Sequence, residues 1–238
     1  MSDTALINQI VSYFKEFIFS SHIDAITKKH AQLKSYNINP IVVRYLSELI
    51  EGEYSPRGVA KALFYPRVLG TSINTSFGTR VQSMFVDLKV GGATGSLIKG
   101  MDIEFVDKLD QRKKWCQLKS DPNTINSDDV GPLIRKFNNT IRLAKTNNVQ
   151  NIVNTDFVIG IIYGSPSELS QHYKRINATY PVCIGTEFWY RLTGDLSFYD
   201  NLITALYSAI SGLDAQEVLE DACEKLAQEI EQSELFNF

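Results

Sequence analysis

The segment GMDIEFVDKLDQRKKWCQLKS, residues Gly100–Ser120, contains the pattern that decides the fold. Apolar and polar residues alternate with period 2 from Met101 to Val106 and again from Lys114 to Lys119, which is typical of strands with one buried face. The residues between the two runs, DKLDQR, are polar and suit a turn. The segment therefore predicts a β-hairpin.

The register of this hairpin determines which side chains share a face. Paired residues in an antiparallel hairpin have position numbers with a constant sum, and their side chains point to the same side. A sum of 219 pairs Asp102 with Gln117, and a sum of 221 pairs Asp102 with Lys119. Both registers place four polar side chains on one face, where paired Cβ atoms lie about 5 Å apart: Asp102, Glu104, Gln117 and Lys119. A shift of one residue would place the two strands' polar sets on opposite faces.

This set of side chains suits phosphodiester hydrolysis with a divalent metal ion. A carboxylate from Asp102 is a hard oxygen ligand for Mg²⁺, and the next strand can add the side-chain oxygen of Gln117 and the backbone carbonyl of Leu118. Lys119 supplies a positive charge that can orient the attacking water or stabilise charge on the phosphate. Glu104 can assist through a water or a second ion. A solvated edge strand with alternating charges is the alternative interpretation of the hairpin taken alone.

Outward from the hairpin, the sequence predicts helices on both sides. Apolar residues recur at helical spacing from Leu6 to Ile18, and three further helices are predicted before Gly91, with a break at Pro66. TSINTSFG and GGATGS read as a turn and a flexible connection. Beyond the hairpin we expect a helix capped by Ser127, a buried strand DFVIGIIYG, a short strand PVCIG and several more helices. This order predicts an α/β (α+β) fold with a mixed central sheet flanked by helices and with helical additions at both termini.

The length and composition suit one large domain. The chain has 238 residues, and 44% of them are hydrophobic, which is enough for a substantial core. We expect a single domain over residues 1–238, with a mainly helical part at 1–95, a catalytic sheet core at 96–185 and C-terminal helices at 186–238.

The distribution of charge permits a polyanionic partner. The chain carries a net charge of −3. From Asp214 onward it contains eight acidic residues and a single basic residue, Lys225, which is a net charge of −7. Residues 1–213 therefore carry +4, and this mildly basic part can bind a polyanion. The first residues lack the pattern of a signal peptide, and no apolar run approaches the roughly 20 residues that span a bilayer. We expect a cytoplasmic protein.

Two further segments carry small hydrogen-bonding side chains near basic ones. SDPNTINSDD follows Lys119 and precedes a predicted helix N-terminus, where phosphate binds readily. YPRVLGTSINTSFGTR combines two arginines with side chains suited to the DNA backbone or to base edges. The candidate DNA-binding residues are Arg67, Asn74, Thr75, Arg80, Ser120, Asn123, Thr124 and Asn126. A capped loop and an interhelical connection are the alternative interpretations of the two segments.

Several blocks together resemble a known family. They are FYPRVLGTSINTSFGTRVQ, GMDIEF, WCQLKSDPNTINSDDV, FVIGIIYG and GTEFWYRLTGD. From about Tyr65 to Leu213 the chain resembles type II restriction endonucleases of the PD-(D/E)xK superfamily, particularly the group that cuts GGNCC-like interrupted palindromes. The resemblance implies the PD-(D/E)xK nuclease fold, Mg²⁺ dependence with Mn²⁺ as a substitute, and a homodimer that cuts double-stranded DNA. It also implies a bacterial or archaeal source and a cognate DNA methyltransferase as the functional partner.

The motif of this superfamily maps onto the hairpin with two departures. Its first acid corresponds to Asp102, its second acidic position to Gln117 and its lysine to Lys119. Met101 stands where the motif has proline, which is a mild variation. Gln117 removes one negative ligand, so a carboxylate from elsewhere is a candidate replacement. The candidates are Glu104, which we rank first for its position in the hairpin, and Glu48, Glu51, Glu53 and Asp87.

Two other functions remain open at this level. Gln117 is also compatible with a DNA-binding module that has kept the nuclease fold without its activity. A DNA repair or junction nuclease of the same fold is the other alternative. Cleavage assays on unmodified and branched duplexes distinguish all three.

Overall fold

The structure is a computed structural model that describes residues 3–146, 151–211 and 215–236, without the side chains of Ser72 and Lys145. No helix in these ranges is long and apolar enough to cross a membrane.

The chain divides into two compact units. The sheet unit comprises Met1–Ser12 and Gly78–Ser208, and the helical unit comprises Tyr13–Phe77 and Ala209–Phe238. The sheet unit thus contains all the strands of the described residues. The single domain with three parts that we expect from the sequence stays a prediction.

Within the described residues, helices dominate at both ends of the chain and the strands lie between them. The α-helices are α1 (Asp3–Tyr13), α2 (Ser20–Ala25), α3 (Pro40–Glu51), α4 (Pro56–Pro66), α5 (Ile73–Asp87), α6 (Ser127–Thr146), α7 (Gln171–Asn177), α8 (Thr186–Thr193), α9 (Phe198–Ile210) and α10 (Gln216–Glu231). The strands are β1 (Thr94–Gly95), β2 (Ile103–Val106), β3 (Lys113–Lys119), β4 (Phe157–Ile161) and β5 (Val182–Ile184). Short π-helical segments cover Phe14–Phe19, Ile26–His30 and Arg67–Ser72, and 3₁₀ turns cover Leu33–Ser35, Val90–Gly92, Asn154–Asp156 and Pro166–Glu168.

The sheet is mixed. Its strand order is β1-β2-β3-β4-β5, with antiparallel pairs from β1 to β3 and parallel pairs from β3 to β5. Every residue of β4 is buried, as expected for a strand covered on both faces. The mixed sheet with flanking helices confirms the predicted fold class.

The predicted hairpin is formed in the first of its two possible registers. Ile103 pairs with Cys116, so the position numbers sum to 219. The pairing ends at Ile103; the Asp102 backbone N–H donates to the carbonyl of the same Cys116 at 2.8 Å, which is one residue out of this register. One face, which includes Ile103 and Leu118, is buried, while Gln117 and its neighbours on the other face are partly exposed.

Helices cover the two faces of the sheet with different side chains. On the face that carries Gln117, Phe137 of α6 packs against Phe157, whose ring stacks on Trp115 with centroids 5.3 Å apart. On the opposite face, α8 approaches Gly160 so closely that a Cβ there would lie 2.3 Å from a ring carbon of Phe188. The polar face of the hairpin therefore lies beneath α6.

Two sequence-based expectations about connections are wrong. Pro66 does not break the helical path, because the π-helical segment Arg67–Ser72 leads directly into α5 at Ile73. Pro66 lacks an N–H and ends α4, but the chain continues as a π-helix, so the expected turn at TSINTSFG is absent. The expected flexible connection GGATGS also contains β1, a two-residue edge strand paired with β2.

The helical unit has its own core. Residues of α4 and α10 bury their apolar sides together, including Phe64, Leu226 and Ile230. The predicted inner stripe of α10 is confirmed, since Ala222 is also buried and Leu219 packs against this core.

Candidate active site

Asp102 lies immediately before β2 and is half-buried. Its Oδ2 accepts a hydrogen bond from the Leu118 N–H at 2.7 Å, and Oδ1 accepts none from a described residue. Burial raises the pKa of Asp102, and the Leu118 N–H and the lysines at 119 and 136 partly oppose that rise. The hairpin thus fixes one carboxylate oxygen and leaves the other available.

Gln117 carries an unsatisfied buried acceptor. Its Oε1 is buried and has no hydrogen-bond partner among the described residues. An unsatisfied buried acceptor costs about 1–3 kcal/mol. A carbonyl oxygen of this kind is a hard ligand that a divalent cation would satisfy.

Lys119 ends β3 and faces the same side of the hairpin. It lines a cavity of about 320 Å³ together with Gln117. Its ammonium group forms no ion pair with a described residue, whereas Lys113, at the other end of the strand, lies 2.5 Å from Glu104. No described carboxylate therefore contacts the Lys119 ammonium group directly, although its charge acts on that of Asp102.

Glu104 shares the polar face but is already occupied. Its Oε1 accepts from Ser96 Oγ at 2.8 Å and from the Leu97 N–H at 3.3 Å, and its Oε2 pairs with Lys113. Burial raises the pKa of Glu104, but these hydrogen bonds outweigh burial and the pKa is lowered. Glu104 therefore holds the segment before Asp102 in place, and its role as the replacement carboxylate stays a prediction.

The other candidate carboxylates lie elsewhere in the chain. Glu48, Glu51 and Glu53 belong to the helical unit, where Glu48 pairs with an arginine and Glu51 with a lysine. Asp87 is the last residue of α5. In the described part of the chain, no three His, Cys, Asp or Glu side chains are grouped as metal ligands. An oxygen site at the hairpin would thus use an amide and a backbone carbonyl beside one carboxylate.

The loop after Lys119 is held by hydrogen bonds of its side chains. Asp121 Oδ2 accepts from the Tyr163 hydroxyl at 2.6 Å, and Thr124 Oγ1 lies 2.7 Å from the Tyr173 hydroxyl. Burial raises the pKa of both tyrosines to about 12. The Asn123 N–H donates to Asp121 Oδ1. The loop is therefore fixed next to the end of β3.

Asn126, rather than Ser127, caps α6. Its Oδ1 accepts from the N–H groups of Asp128 at 2.8 Å and Asp129 at 3.2 Å, and Asp129 Oδ2 accepts from the Asn126 N–H. The expected cap by Ser127 is wrong because asparagine one residue earlier satisfies the same donors. Asn126 therefore uses its side-chain oxygen within the protein.

The candidate DNA-binding residues fall into two groups. Ser120 and Thr124 line a second cavity, of about 200 Å³, with Lys119 and Gln82. Arg80 is exposed on α5.

The second group belongs to the helical unit. Arg67 is half-buried there, with a buried Nε that has no partner among the described residues. Asn74 and Thr75 are exposed at the start of α5, and Thr75 Oγ1 donates to the Thr71 carbonyl. The structure thus brings Ser120 and Thr124 to Lys119, and the DNA-binding role of every candidate stays a prediction.

Sequence reasoning missed two residues of the cavity. Lys136 and Asp129 of α6 both line it beside Gln117 and Lys119. A signal existed, because Lys136 lies three residues after the buried Leu133 and seven after Asp129, on the side of α6 that faces the sheet. Without the register of helix against sheet, that spacing could not be connected to the hairpin.

A comparison with protein families shows the family of the chain. A model of the family described as type II restriction endonuclease EcoO109I matches residues 59–211, which is more than half of the chain and includes the whole hairpin. The chain belongs to this family. It is therefore a type II restriction endonuclease, a site-specific deoxyribonuclease whose substrate is double-stranded DNA. No curated protein sequence matches the chain.

Membership of the family makes a divalent metal ion relevant to the hairpin. Type II restriction endonucleases generally use divalent metal ions. In this endonuclease, Asp102 Oδ1 and Gln117 Oε1 accept no hydrogen bond from a described residue, and the Lys119 ammonium group forms no ion pair with one.

Proposed function

We propose that this endonuclease hydrolyses double-stranded DNA at a GGNCC-like palindrome with Mg²⁺, for which Mn²⁺ substitutes, and that the face of the hairpin bearing Asp102, Gln117 and Lys119 is its catalytic centre. The observation that carries the proposal is the buried Oε1 of Gln117, which has no hydrogen-bond partner among the described residues, in the same hairpin in which the Leu118 N–H fixes the Asp102 carboxylate. A fold keeps such an unsatisfied acceptor at a cost in stability, and a cation would remove that cost.

The residues present fit a hard divalent ion. Asp102, Gln117 and the backbone carbonyl of Leu118 would hold it, because all three supply oxygen atoms. When bound, the ion lowers the pKa of a water molecule and offsets negative charge on the phosphate. The amide at position 117 supplies an oxygen without a second negative charge.

The side chains of the hairpin then act directly on the substrate. Lys119 orients the attacking water and stabilises charge that develops on the phosphate. The Leu118 N–H holds the Asp102 carboxylate in a fixed direction, and the Asp121 and Thr124 hydrogen bonds hold the loop beside Lys119. Preorganisation of this kind leaves little rearrangement for the moment of reaction.

Recognition of a palindrome requires two symmetric readers, so the proposal includes a homodimer. The exposed face of α3 supports it. Ile41, Tyr45 and Leu49 follow each other at intervals of four residues and are 82%, 63% and 66% exposed. A single apolar helix face is self-complementary across a two-fold axis, which is the geometry of an isologous interface.

Sequence readout is assigned to arginines and small polar side chains. Arginine hydrogen-bonds guanine in the major groove, which suits Arg80 and Arg67 for a site rich in G·C pairs. Ser120, Asn123 and Thr124 are suited to the phosphates near the cleaved bond. The system further includes a cognate DNA methyltransferase, and the enzyme acts in the cytoplasm of a bacterium or archaeon.

One digest tests the activity and the site together. The purified protein is incubated with a sequenced phage DNA in Mg²⁺, Mn²⁺ or EDTA, and the fragment ends are sequenced. We expect discrete fragments only with a metal ion, with ends that share a GGNCC-like palindrome. Specific duplex binding without cleavage in either metal would contradict the proposal and would indicate an inactive relative. Preference for branched DNA would indicate a repair or junction nuclease.

A further inference from the structure

Lys136 places a second ammonium group at the catalytic cavity. It lies in the third turn of α6 and lines the cavity together with Gln117 and Lys119. The charges that act on it are those of Asp102 and Lys119. Lys136 is therefore close to the hairpin cluster although it is not part of the motif.

The Lys136 ammonium group has no acceptor among the described residues. Its Nζ forms no hydrogen bond and no ion pair with a described residue. Asp129, the acidic residue of α6 that lines the same cavity, is exposed and accepts from the Asn126 N–H instead. Burial lowers the pKa of Lys136, Lys119 lowers it further, and Asp102 opposes both effects.

The backbone before Asp102 leaves room for this lysine. Gly100 has φ of +89°, and a Cβ at this position would lie 1.7 Å from Lys136 Cε and 1.9 Å from Nζ. The end of the lysine side chain thus occupies the space that any other residue at position 100 would fill. The glycine is required both by the positive φ and by the contact.

We propose that Lys136 is a second phosphate-binding residue of the active site, which holds a non-bridging oxygen of the scissile phosphate beside Lys119. The inference rests on the proposed function. In the reaction the water oxygen bonds to phosphorus, the bond from phosphorus to the leaving oxygen breaks, and the water proton passes to solvent while the leaving oxygen gains a proton. Lys136 stays protonated and offsets the charge that develops on the phosphate. The positive charge of Lys136 is particularly useful here because the amide of Gln117 attracts a metal ion less strongly than a carboxylate would.

The test uses Lys136→Met, which removes the charge but keeps the length, and Lys136→Arg, which keeps the charge. Arg142→Met, an exposed cation of the same helix, is the matched control. The probe is a short duplex that spans a cleavage site mapped with the wild-type enzyme. Single-turnover cleavage is measured in Mg²⁺, binding is measured in EDTA over a series of salt concentrations, and melting temperatures verify folding.

We expect Lys136→Met to slow cleavage at least about 100-fold, as loss of a charge-stabilising donor does. It should also reduce the slope of log affinity against log salt by about 0.9, the value for one lost phosphate contact. Lys136→Arg should restore most of the slope, and Arg142→Met should cleave at the wild-type rate. Gly100→Ala gives a second route, because it displaces the lysine. Gly100→Ala should slow cleavage when Lys136 is present, and it should slow the Lys136→Met variant little further.

Each outcome bears on one proposal. A wild-type protein that cuts no duplex overturns the proposed function itself. A wild-type enzyme that cuts, together with a folded Lys136→Met variant that has the wild-type rate and salt slope, overturns the Lys136 inference alone. A slow Lys136→Met variant with an unchanged salt slope overturns it as well, since that result indicates a structural role.

Discussion

In the proposed site, Gln117 lowers the stability of the metal-free protein and supplies an oxygen ligand to the ion. Its buried Oε1 has no partner among the described residues, although a hydrophobic side chain of the same length would need none. Such an arrangement makes sense for a group that is satisfied only when a ligand is bound. Replacement of Gln117 should therefore raise the stability of the metal-free protein and weaken metal binding.

We predict that Gln117→Met makes the metal-free protein more stable and the metal-loaded protein less so. Removal of an unsatisfied buried acceptor should raise the free energy of unfolding in EDTA by about 1 kcal/mol. The wild type should gain about 2.7 kcal/mol at a Mg²⁺ concentration 100 times the dissociation constant, and the variant should gain much less. Chemical denaturation with and without Mg²⁺ measures both quantities.

Gln228→Met, an exposed glutamine on α10, is the control and should respond to Mg²⁺ as the wild type does. A Gln117→Met variant that is destabilised in EDTA and keeps the full Mg²⁺ response would show that Gln117 is an ordinary structural residue.

At the scale of elements, an ion-pair network anchors the end of β3 that is remote from the proposed catalytic residues. The side chain of Asp156 is only 2% exposed. It accepts from Arg112 at 2.7 Å and 2.5 Å and from the Val153 N–H at 2.9 Å, and the buried Lys114 ammonium lies 3.6 Å away. The network joins the start of β3 to the start of β4, and so it fixes the strand that carries Gln117.

We predict that Asp156→Asn costs about 3 kcal/mol of unfolding free energy at pH 7, because it removes one partner of a buried ion pair. Burial raises the pKa of Asp156, but the Arg112 and Val153 hydrogen bonds outweigh burial and the pKa is lowered from its ordinary value of 3.8. A lowered pKa stabilises the fold above the ordinary value, and this contribution is lost as pH falls through the lowered pKa. Denaturation at pH 7 and at about pH 3 should therefore show the cost of the substitution shrinking with acid.

Asp24→Asn serves as the comparison, since Asp24 pairs with Lys28 on an open surface where the two side chains are 65% and 75% exposed. It should cost less than about 0.5 kcal/mol. An equal cost for the two variants at pH 7 would contradict the structural role given to Asp156.

The elements that the sequence predicts correctly are those with a strong local period. The hairpin and helix α6 follow from periods of 2 and 3.6, and the buried strand β4 follows from a continuous apolar run. The position of the turn limited the hairpin to two registers, in which paired position numbers sum to 219 or 221. The continuous helical path around Pro66 was not predictable in this way, because a π-helical segment leaves no periodic signal. β1 escaped detection because two residues are too few for a pattern.

The site was predictable only where the motif is local. Asp102, Gln117 and Lys119 belong to a single hairpin, so the sequence alone could group them, and their role as the site stays a prediction. Lys136 reaches the same cavity from a helix whose rotation about its axis the sequence does not determine. The sequence also does not show that Gln117 Oε1 lacks a hydrogen-bond partner among the described residues, because this depends on how the side chains pack.

At the scale of the whole molecule, the proposed dimer requires a surface that the monomer leaves uncovered. The outward face of α3 carries an apolar stripe beside the exposed pair of Arg44 and Glu48, whereas Val43 and Ser47 point into the helical unit. An exposed apolar stripe on a helix otherwise costs solubility, which favours its burial against a second copy.

We predict that Leu49→Glu raises the dimer dissociation constant at least about 100-fold, because a two-fold interface would then bury two unpaired charges. Sedimentation equilibrium measures the change. Leu196→Glu, at a leucine that is 64% exposed outside any helix, should leave the dimer intact. A wild type that is monomeric at micromolar concentration, or a Leu49→Glu variant with wild-type affinity, would remove α3 as the dimer surface.

Cleavage by Lys119→Ala and Asp102→Ala tests most directly whether the polar face of one β-hairpin is the catalytic centre. Lys108→Ala is the matched control, because Lys108 is exposed in the turn of the same hairpin. The two site variants should lose metal-dependent cleavage of plasmid DNA by at least about 100-fold while duplex binding survives, and Lys108→Ala should cut like the wild type. If Lys119→Ala and Asp102→Ala both cut at the wild-type rate, the hairpin is not the catalytic centre.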